Sequence, residues 1–226
     1  SFIDDKIAWY ENNGSESFTE YSISSSANGA HSVFAIDLDS DGDMDVLSAA
    51  YFGDQVTWYE NNGSESFSAN YIDTNADGTR SVFAADMDAD GDMDVLSSAA
   101  GGNVSAADAI NWYENNGLQS FTKYEIANDQ NRPGEVIAAD VDGDGDMDVL
   151  SASESDDKLV WYEQVCGGVI DDCGVCGGNN NSMADDDCGN CLNTTRVITG
   201  NAKLEDAIVG VYTYQGLVRV DFQAPP

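Results

Sequence analysis

The stretch Asp37-Leu-Asp-Ser-Asp-Gly-Asp-Met-Asp-Val-Leu47 places five aspartates at alternate positions around a single glycine. Closely similar strings occupy residues 86–96 and 140–150, so their first aspartates lie 49 and 54 residues apart. The tripeptide Trp-Tyr-Glu recurs with matching intervals, at Trp9, Trp58, Trp112 and Trp161. One five-residue insertion near residues 101–107 accounts for the longer interval. The chain is therefore a repeat array.

Each repeat unit is predicted to contain four short strands. In the first full unit these are residues 33–36 before the acidic string, 46–49 after it, and then 56–59 and 67–72. β-branched and aromatic residues dominate these runs, and turn residues containing Gly and Asn separate them. No segment shows a sustained helical period of 3.6 residues. The predicted fold class is all-β.

The adjacent Trp and Tyr of each unit indicate how the strands are covered. Neighbouring residues of a strand point to opposite faces of its sheet, so this strand carries a large apolar group on each face. Such a strand requires cover on both sides, as a propeller blade has between its neighbours. A core position between blades is favoured over sugar stacking for these aromatic residues.

The acidic strings are predicted to bind about three Ca²⁺ ions, because Ca²⁺ takes six to eight oxygen ligands and a glycine allows the loop to turn. The candidate ligands are Asp37, Asp39, Asp41, Asp43, Asp45, Asp86, Asp88, Asp90, Asp92, Asp94, Asp140, Asp142, Asp144, Asp146 and Asp148. In each loop we assign the first, second, third and fifth aspartates as side-chain ligands and the fourth as a backbone-carbonyl ligand. The loops are not EF-hands, because no Glu stands at position 12 and strands replace the flanking helices. A full oxygen cage leaves no open position for a substrate, so the metal is expected to be structural.

Asp-x-Asp-x-Asp-Gly-Asp-x-Asp within an all-β repeat of about 50 residues resembles the FG-GAP/VCBS repeats, and the Trp-Tyr-Glu-Asn-Asn-Gly element resembles their bacterial VCBS-type version. The resemblance covers about residues 1–163. It implies a Ca²⁺-binding β-propeller of the kind found in integrin α-chains and bacterial surface proteins, with calcium held by the aspartates named above. Such propellers serve as adhesion domains, lectin-like modules and scaffolds beside enzymes, so the resemblance does not fix a molecular function.

The number of repeat units does not decide whether the blades close into a ring. Two complete units are preceded by a half unit (residues 4–11 and 18–23) and followed by three strands within residues 135–163, which lack the final strand. Propellers usually have four to eight blades. The chain is therefore a fragment of a larger propeller, an open array of blades, or a protein whose missing strands come from neighbouring chains.

A cysteine-rich segment follows the repeats, with Cys166, Cys173, Cys176, Cys188 and Cys191. The spacing superficially fits a zinc ribbon, but the segment is rich in Gly, Asn and Asp and has no strand-forming runs. It resembles the Asp-Cys-Gly-Val-Cys-Gly-Gly linkers of secreted proteins, which implies disulfides whose pairing the spacing does not fix. The predicted domains are repeats over residues 1–164, a linker over 165–192 and a C-terminal β-hairpin element over 193–226.

Two further residue types are candidate sites. Glycosylation sequons occur at Asn13, Asn62, Asn103, Asn180 and Asn193. His31, the only histidine, has no matching histidine in the other repeats, so we interpret it as a surface residue rather than a catalyst.

Composition restricts the function further. With 8 Lys+Arg against 42 Asp+Glu, the formal charge of −34 excludes nucleic acid and anionic membranes as natural partners. No stretch approaches the 18 to 20 apolar residues of a membrane span, and no nucleophile or zinc-hydrolase motif occurs. We therefore expect a non-enzymatic, extracellular, calcium-binding structural or adhesion protein. Its expected partners are other copies of itself or surface proteins. If it binds other copies of itself, it could be the repeating subunit of a surface fibre. The alternatives are a carbohydrate-binding module and an accessory domain of an extracellular enzyme.

Overall fold

The computed structural model describes residues 1–101 and 108–164, and the backbone of residues 194–199, 208–214 and 217–223. Within these residues the protein is built from strands and turns, and no helix long and apolar enough to cross a membrane occurs there. The described strands are β1 (Ile7–Asn12), β2 (Phe18–Ser24), β3 (Ala30–Ile36), β4 (Asp45–Ala50), β5 (Gln55–Asn61), β6 (Phe67–Asp73), β7 (Thr79–Ala85), β8 (Asp94–Ala99), β9 (Ala109–Asn115), β10 (Phe121–Ala127), β11 (Pro133–Ala139), β12 (Asp148–Ser153), β13 (Lys158–Glu163), β14 (Thr194–Thr199), β15 (Ile208–Tyr214) and β16 (Leu217–Gln223). The all-β prediction is confirmed.

The strands form antiparallel sheets in which neighbours in sequence are neighbours in space. The first sheet contains β1 and β2, the second β3–β6, the third β7–β10 and the fourth β11–β14, while β15 and β16 pair only with each other. The four predicted strands of the first full unit correspond to β3–β6, with each strand longer than predicted by one to three residues. The repeat period is therefore the period of one four-stranded sheet.

The fourth sheet corrects the expectation that the last unit lacks its final strand. Strand β14 pairs antiparallel with β13, with Trp161 opposite Arg196 and Val160 opposite Val197. The sequence analysis placed residues 196–199 in a C-terminal hairpin element because residues 164–193 separate them from β13. Local patterning does not reveal a pairing across such a distance. Only β15 and β16 form the C-terminal two-stranded sheet.

The second and third sheets share one hydrophobic core. Leu47 and Trp58 of the second sheet pack with Val95 and Tyr113 of the third, and all four side chains are buried. Leu47 and Trp58 are also direct partners across β4 and β5, as Val95 and Tyr113 are across β8 and β9. The tryptophan side of one sheet thus meets the tyrosine side of the next.

The same arrangement recurs between the third and fourth sheets. Leu96 and Trp112 of the third sheet share a core with Val149 and Tyr162 of the fourth. Because Trp112 and Tyr113 are adjacent in β9, they point to opposite faces and enter the two different cores. The predicted core role of the Trp-Tyr pair, with cover on both sides of the sheet, is confirmed for the third sheet.

The first sheet departs from that prediction. Tyr10 is 55% exposed, whereas the matching Tyr59 of the second sheet is 4% exposed. Trp9 stacks on Tyr21 of its own sheet, with ring centroids 4.7 Å apart. Among the described residues no sheet packs on the tyrosine face of β1, so the aromatic pair there is covered on one side only.

The paired cores predict a clear difference between two leucines. Leu96 is fully buried between the third and fourth sheets, while Leu118 is 79% exposed in a turn. We expect Leu96→Ala to lower the free energy of unfolding by about 2–5 kcal/mol, because it removes apolar contacts and leaves a cavity. Leu118→Ala should change it by less than about 0.5 kcal/mol. Urea denaturation followed by circular dichroism measures both variants, and equal effects would contradict the assigned core.

Candidate metal centres

The three acidic loops occupy one matched position of the repeat. Each joins the first strand of a four-stranded sheet to the second, between β3 and β4, β7 and β8, and β11 and β12. The first and second strands are also those that pack most extensively against the first strand of the next sheet. The strand that follows each loop is mostly buried in its sheet.

The backbone of each loop turns around its own first aspartate. The N–H of the loop glycine donates to this carboxylate, over 3.0, 3.1 and 3.2 Å in the pairs Gly42–Asp37, Gly91–Asp86 and Gly145–Asp140. These glycines have φ of +96°, +96° and +98°, which an L side chain rarely adopts. The glycine at this position is thus required by the turn, and the turn directs the carboxylates inward.

The fifth aspartate of each string is fully buried and connects the loop to the third strand of its sheet. In the second sheet, Asp45 accepts hydrogen bonds from the backbone N–H of Leu38 at 3.2 Å and of Asn61 at 2.7 Å. Asp94 and Asp148 make the matching pairs of bonds in the third and fourth sheets. Burial raises the pKa of the Asp45 carboxyl, and the backbone N–H of Asn61 and the nearby indole of Trp58 oppose this rise. The sequence predicted a metal ligand here, and the structure adds a structural role that the spacing did not indicate.

The fourth aspartate turns toward the Asn-Asn-Gly turn of the same sheet. A Cβ atom added to Gly63 would lie 2.5 Å from Oδ2 of Asp43, and one added to Gly117 would lie 2.4 Å from Oδ2 of Asp92. These carboxylates lie outside the clusters described below, as expected if the residue offers its backbone carbonyl to a cation. Sequence reasoning interpreted the Asn-Asn-Gly glycine as a turn residue and missed that it leaves room for this carboxylate.

Carboxylate oxygens converge in all three loops. In each of three groups one oxygen per residue lies within 4.8 Å of the others: Asp37, Asp39 and Asp45; Asp86, Asp88 and Asp90; and Asp140, Asp142 and Asp144. The first and second aspartates belong to every cluster. The third completes it in two loops and the fifth completes it in the loop after β3, so four predicted side-chain ligands are not all brought together in any one loop.

Within the part of the chain that the structure describes, no salt bridge joins a basic side chain to these clusters. Burial, followed by the neighbouring charge of Asp90, raises the pKa of Asp88 to about 6. Burial likewise raises the pKa of Asp94 to about 7. Oδ1 of Asp86 is buried without a hydrogen-bond partner. A divalent cation would supply both the missing charge and the missing partner, so the residues present fit a metal with oxygen ligands.

The other predicted sites divide between described and undescribed residues. Asn13 and Asn62 are exposed in the Asn-Asn-Gly turns, where their side-chain oxygens accept from the backbone N–H of Ser15 and Ser64. His31 is exposed, as predicted, and its Nδ1 lies 2.8 Å from the carbonyl oxygen of Arg80. Outside the described residues lie Asn103, Asn180, Asn193, Cys166, Cys173, Cys176, Cys188 and Cys191.

The raised pKa values predict how the metal-free protein responds to pH. For Asp88 and Asp94 the folded-state pKa lies above the ordinary value of 3.8, so between about pH 4 and 7 the folded state binds more protons than the unfolded state. The free energy of unfolding therefore falls as pH rises through this window. In excess chelator we expect a higher melting temperature at about pH 5 than at about pH 8. Asp88→Asn, which carries no charge at either pH, should reduce this difference, and a melting temperature that rises with pH in chelator would contradict the assignment.

Comparison with known proteins agrees with the repeat organisation of the chain. The profile of the FG-GAP-like repeat matches residues 2–48, 37–97 and 99–164. No curated protein matches the chain. FG-GAP repeats are generally non-enzymatic structural or adhesion repeats, are typical of extracellular proteins and often bind calcium. Three matched segments over most of the described residues show that the chain belongs to the FG-GAP-like repeat family.

Proposed function

We propose that this chain is a calcium-stabilised, non-enzymatic structural or adhesion segment of an extracellular protein. The observation that carries the proposal is the convergence of carboxylate oxygens at one matched position in three successive sheets. A solvated acidic turn needs no such recurrence, and it gains nothing from placing like charges within 4.8 Å of one another.

Calcium fits these clusters better than other common cations. The donors are carboxylate and backbone oxygens, which hard cations prefer, and the described loops contain neither His nor Cys for a softer metal. Mg²⁺ usually retains several waters, whereas Ca²⁺ accepts a larger and more flexible set of oxygens. The first and second aspartates with the third or fifth would hold the ion through side chains, and the fourth would contribute its carbonyl.

A bound cation would stabilise each sheet internally. The fifth aspartate already ties the start of the loop to the end of the third strand through its two backbone hydrogen bonds. A cation beside it would offset the repulsion between the first and second aspartates and hold the loop against this connection. With a chain charge of −34, each bound ion also reduces the self-repulsion that opposes a compact state.

The extracellular setting is supported by the family and by the sequence of the linker. FG-GAP repeats are typical of extracellular proteins, where Ca²⁺ is abundant and cysteines are oxidised. Disulfides among the five cysteines and glycans on the exposed Asn13 and Asn62 belong to this proposal. In one form of this proposal the chain is the subunit of a surface fibre. Such a fibre would form by strand pairing between chains, which requires unpaired strand edges.

The carbohydrate-binding alternative gains no support from the tryptophans of the second, third and fourth sheets. Trp58, Trp112 and Trp161 are all buried and therefore offer no flat surface to a sugar ring. A glycan array probed with the calcium-loaded chain tests this alternative, and we expect no binding above that of a heat-unfolded control. Specific retention on one sugar class would favour the alternative instead.

Calcium binding is tested by calorimetry and thermal unfolding. We expect saturable Ca²⁺ binding at three sites, one for each cluster. Each site should add about 2.7 kcal/mol to the free energy of unfolding when free Ca²⁺ is 100-fold above its Kd. Chelation should lower the melting temperature, and Mg²⁺ should restore it only in part.

Matched variants locate the sites. Asp88→Asn removes a charged ligand from the cluster of the third sheet and should abolish one binding step. Asp129→Asn, an equally charged change at an exposed residue outside all three clusters, should leave binding intact. An unchanged melting temperature in excess chelator, or equal binding losses in the two variants, would refute the calcium assignment.

A further inference from the structure

Strand β1 has an unpaired edge where its counterparts in the other sheets are paired. Trp9 in β1 matches Trp58 in β5 and Phe18 in β2 matches Phe67 in β6, so the first sheet contains the third and fourth strands of a repeat. In the second sheet β5 pairs with β4 on one side and β6 on the other, whereas β1 pairs with β2 alone. One row of β1 backbone N–H and C=O groups is therefore free for a further strand within the described structure.

The face of β3 beside this edge is also uncovered. Val33 is 57% exposed, while the matching valines of the third and fourth sheets, Val82 and Val136, are 3% and 1% exposed. Ala35 is exposed as well, and the matching Ala84 is buried. Because the residue types are identical, the difference reflects what covers each strand and not the sequence of the strand itself.

The strands that cover β7 and β11 indicate which strands would cover the exposed face of β3. Strand β7, which carries Val82, packs against β3 and β4, and β11, which carries Val136, packs against β7 and β8. In both cases the first and second strands of the preceding sheet bury the valine. These are the two strands that the first sheet does not contain.

The free edge and the uncovered face form one continuous surface. An open cavity of about 520 Å³ lies between β1 and β3, lined in part by Phe2, Ile7, Ala30, His31 and Val33. A small ligand in this cavity would leave the edge of β1 unpaired, and a single added strand would leave most of the β3 face exposed. A pair of strands satisfies both the backbone groups and the apolar side chains.

The side chains that such a pair would bring are known from the intact sheets. Leu47 stands opposite Trp58 and Val46 opposite Tyr59, so the matching residues of a docked strand would face Trp9 and Tyr10. These residues are neutral and apolar, so no like charges would meet at the contact itself. We propose that the β1 edge and the β3 face form a docking site for the first two strands of an FG-GAP-like repeat, with the second strand antiparallel to β1.

Residues 1–6 already form the turn that would join an added strand pair to β1, and this turn allows the docking to be tested by a fusion. Residues 1–6 match residues 50–55 of the next repeat. Oδ1 of Asp5 accepts from the N–H of Gly29 at 2.8 Å, as Oδ1 of Asp54 accepts from Gly78 at 3.0 Å. A second copy of residues 27–49 fused directly before Ser1 would therefore enter the first sheet through a turn that is already formed.

The experiment is hydrogen exchange on the full chain and on this extended chain, both in saturating Ca²⁺ so that metal occupancy does not vary. We expect amide exchange in β1 to slow at least about tenfold in the extended chain, with exchange in β5 and β6 unchanged. A control extension with Ser at the positions of Val46 and Leu47 should give no such slowing. A free peptide of residues 27–50 added to the parent chain should slow exchange in β1 saturably.

Two results would overturn the docking site. In the first, exchange in β1 is as fast in the extended chain and with saturating peptide as in the parent. In the second, the β1 amides of the parent are already protected and become exposed after removal of residues 208–226. The hairpin β15–β16 would then be the occupant of this edge.

Discussion

The buried carboxylate of the fifth aspartate is the interaction on which each four-stranded sheet depends. Asp45, Asp94 and Asp148 each accept one backbone N–H from the acidic loop and one from the end of the third strand. A buried carboxylate is costly unless it is hydrogen-bonded, so the loop and the third strand must keep this geometry. This contact holds the loop in place. The other carboxylates of the loop are then brought together at the end of the sheet where the first and second strands are joined.

The burial that organises the loop also creates its electrostatic problem. Desolvation raises the pKa of Asp88 and Asp94, and the same is true in direction for Asp39 and Asp148. At these four residues the acidic loops therefore place charge where burial reduces its screening by water. A cation bound by these oxygen atoms would resolve the conflict and would allow an acidic string of this length to be attached to a well-packed sheet.

Packing between sheets follows from a two-residue alternation. The Trp and Tyr of the third strand point to opposite faces, so each sheet offers a tryptophan face to the following sheet and a tyrosine face to the preceding one. This rule by itself does not fix the number of sheets in the stack. The exposed Tyr10 and Val33 mark the place where the stack lacks a preceding partner among the described residues.

The sequence alone determined the repeat, the four strands of each unit, the all-β class and the acidic loops, because all of these are local and periodic. A period of two residues reveals a strand, and five aspartates around a glycine reveal a turn lined with oxygen atoms. The tertiary structure decided what depends on distant partners. It showed that β14 completes the fourth sheet from beyond residue 193, that Asp45 is buried against Leu38 and Asn61, and that Asp43 lies against Gly63. It also showed that Val33 is exposed whereas Val82 is buried, although the two are identical in residue type and repeat position. The difference arises because burial depends on the neighbouring sheet and not on the residue itself.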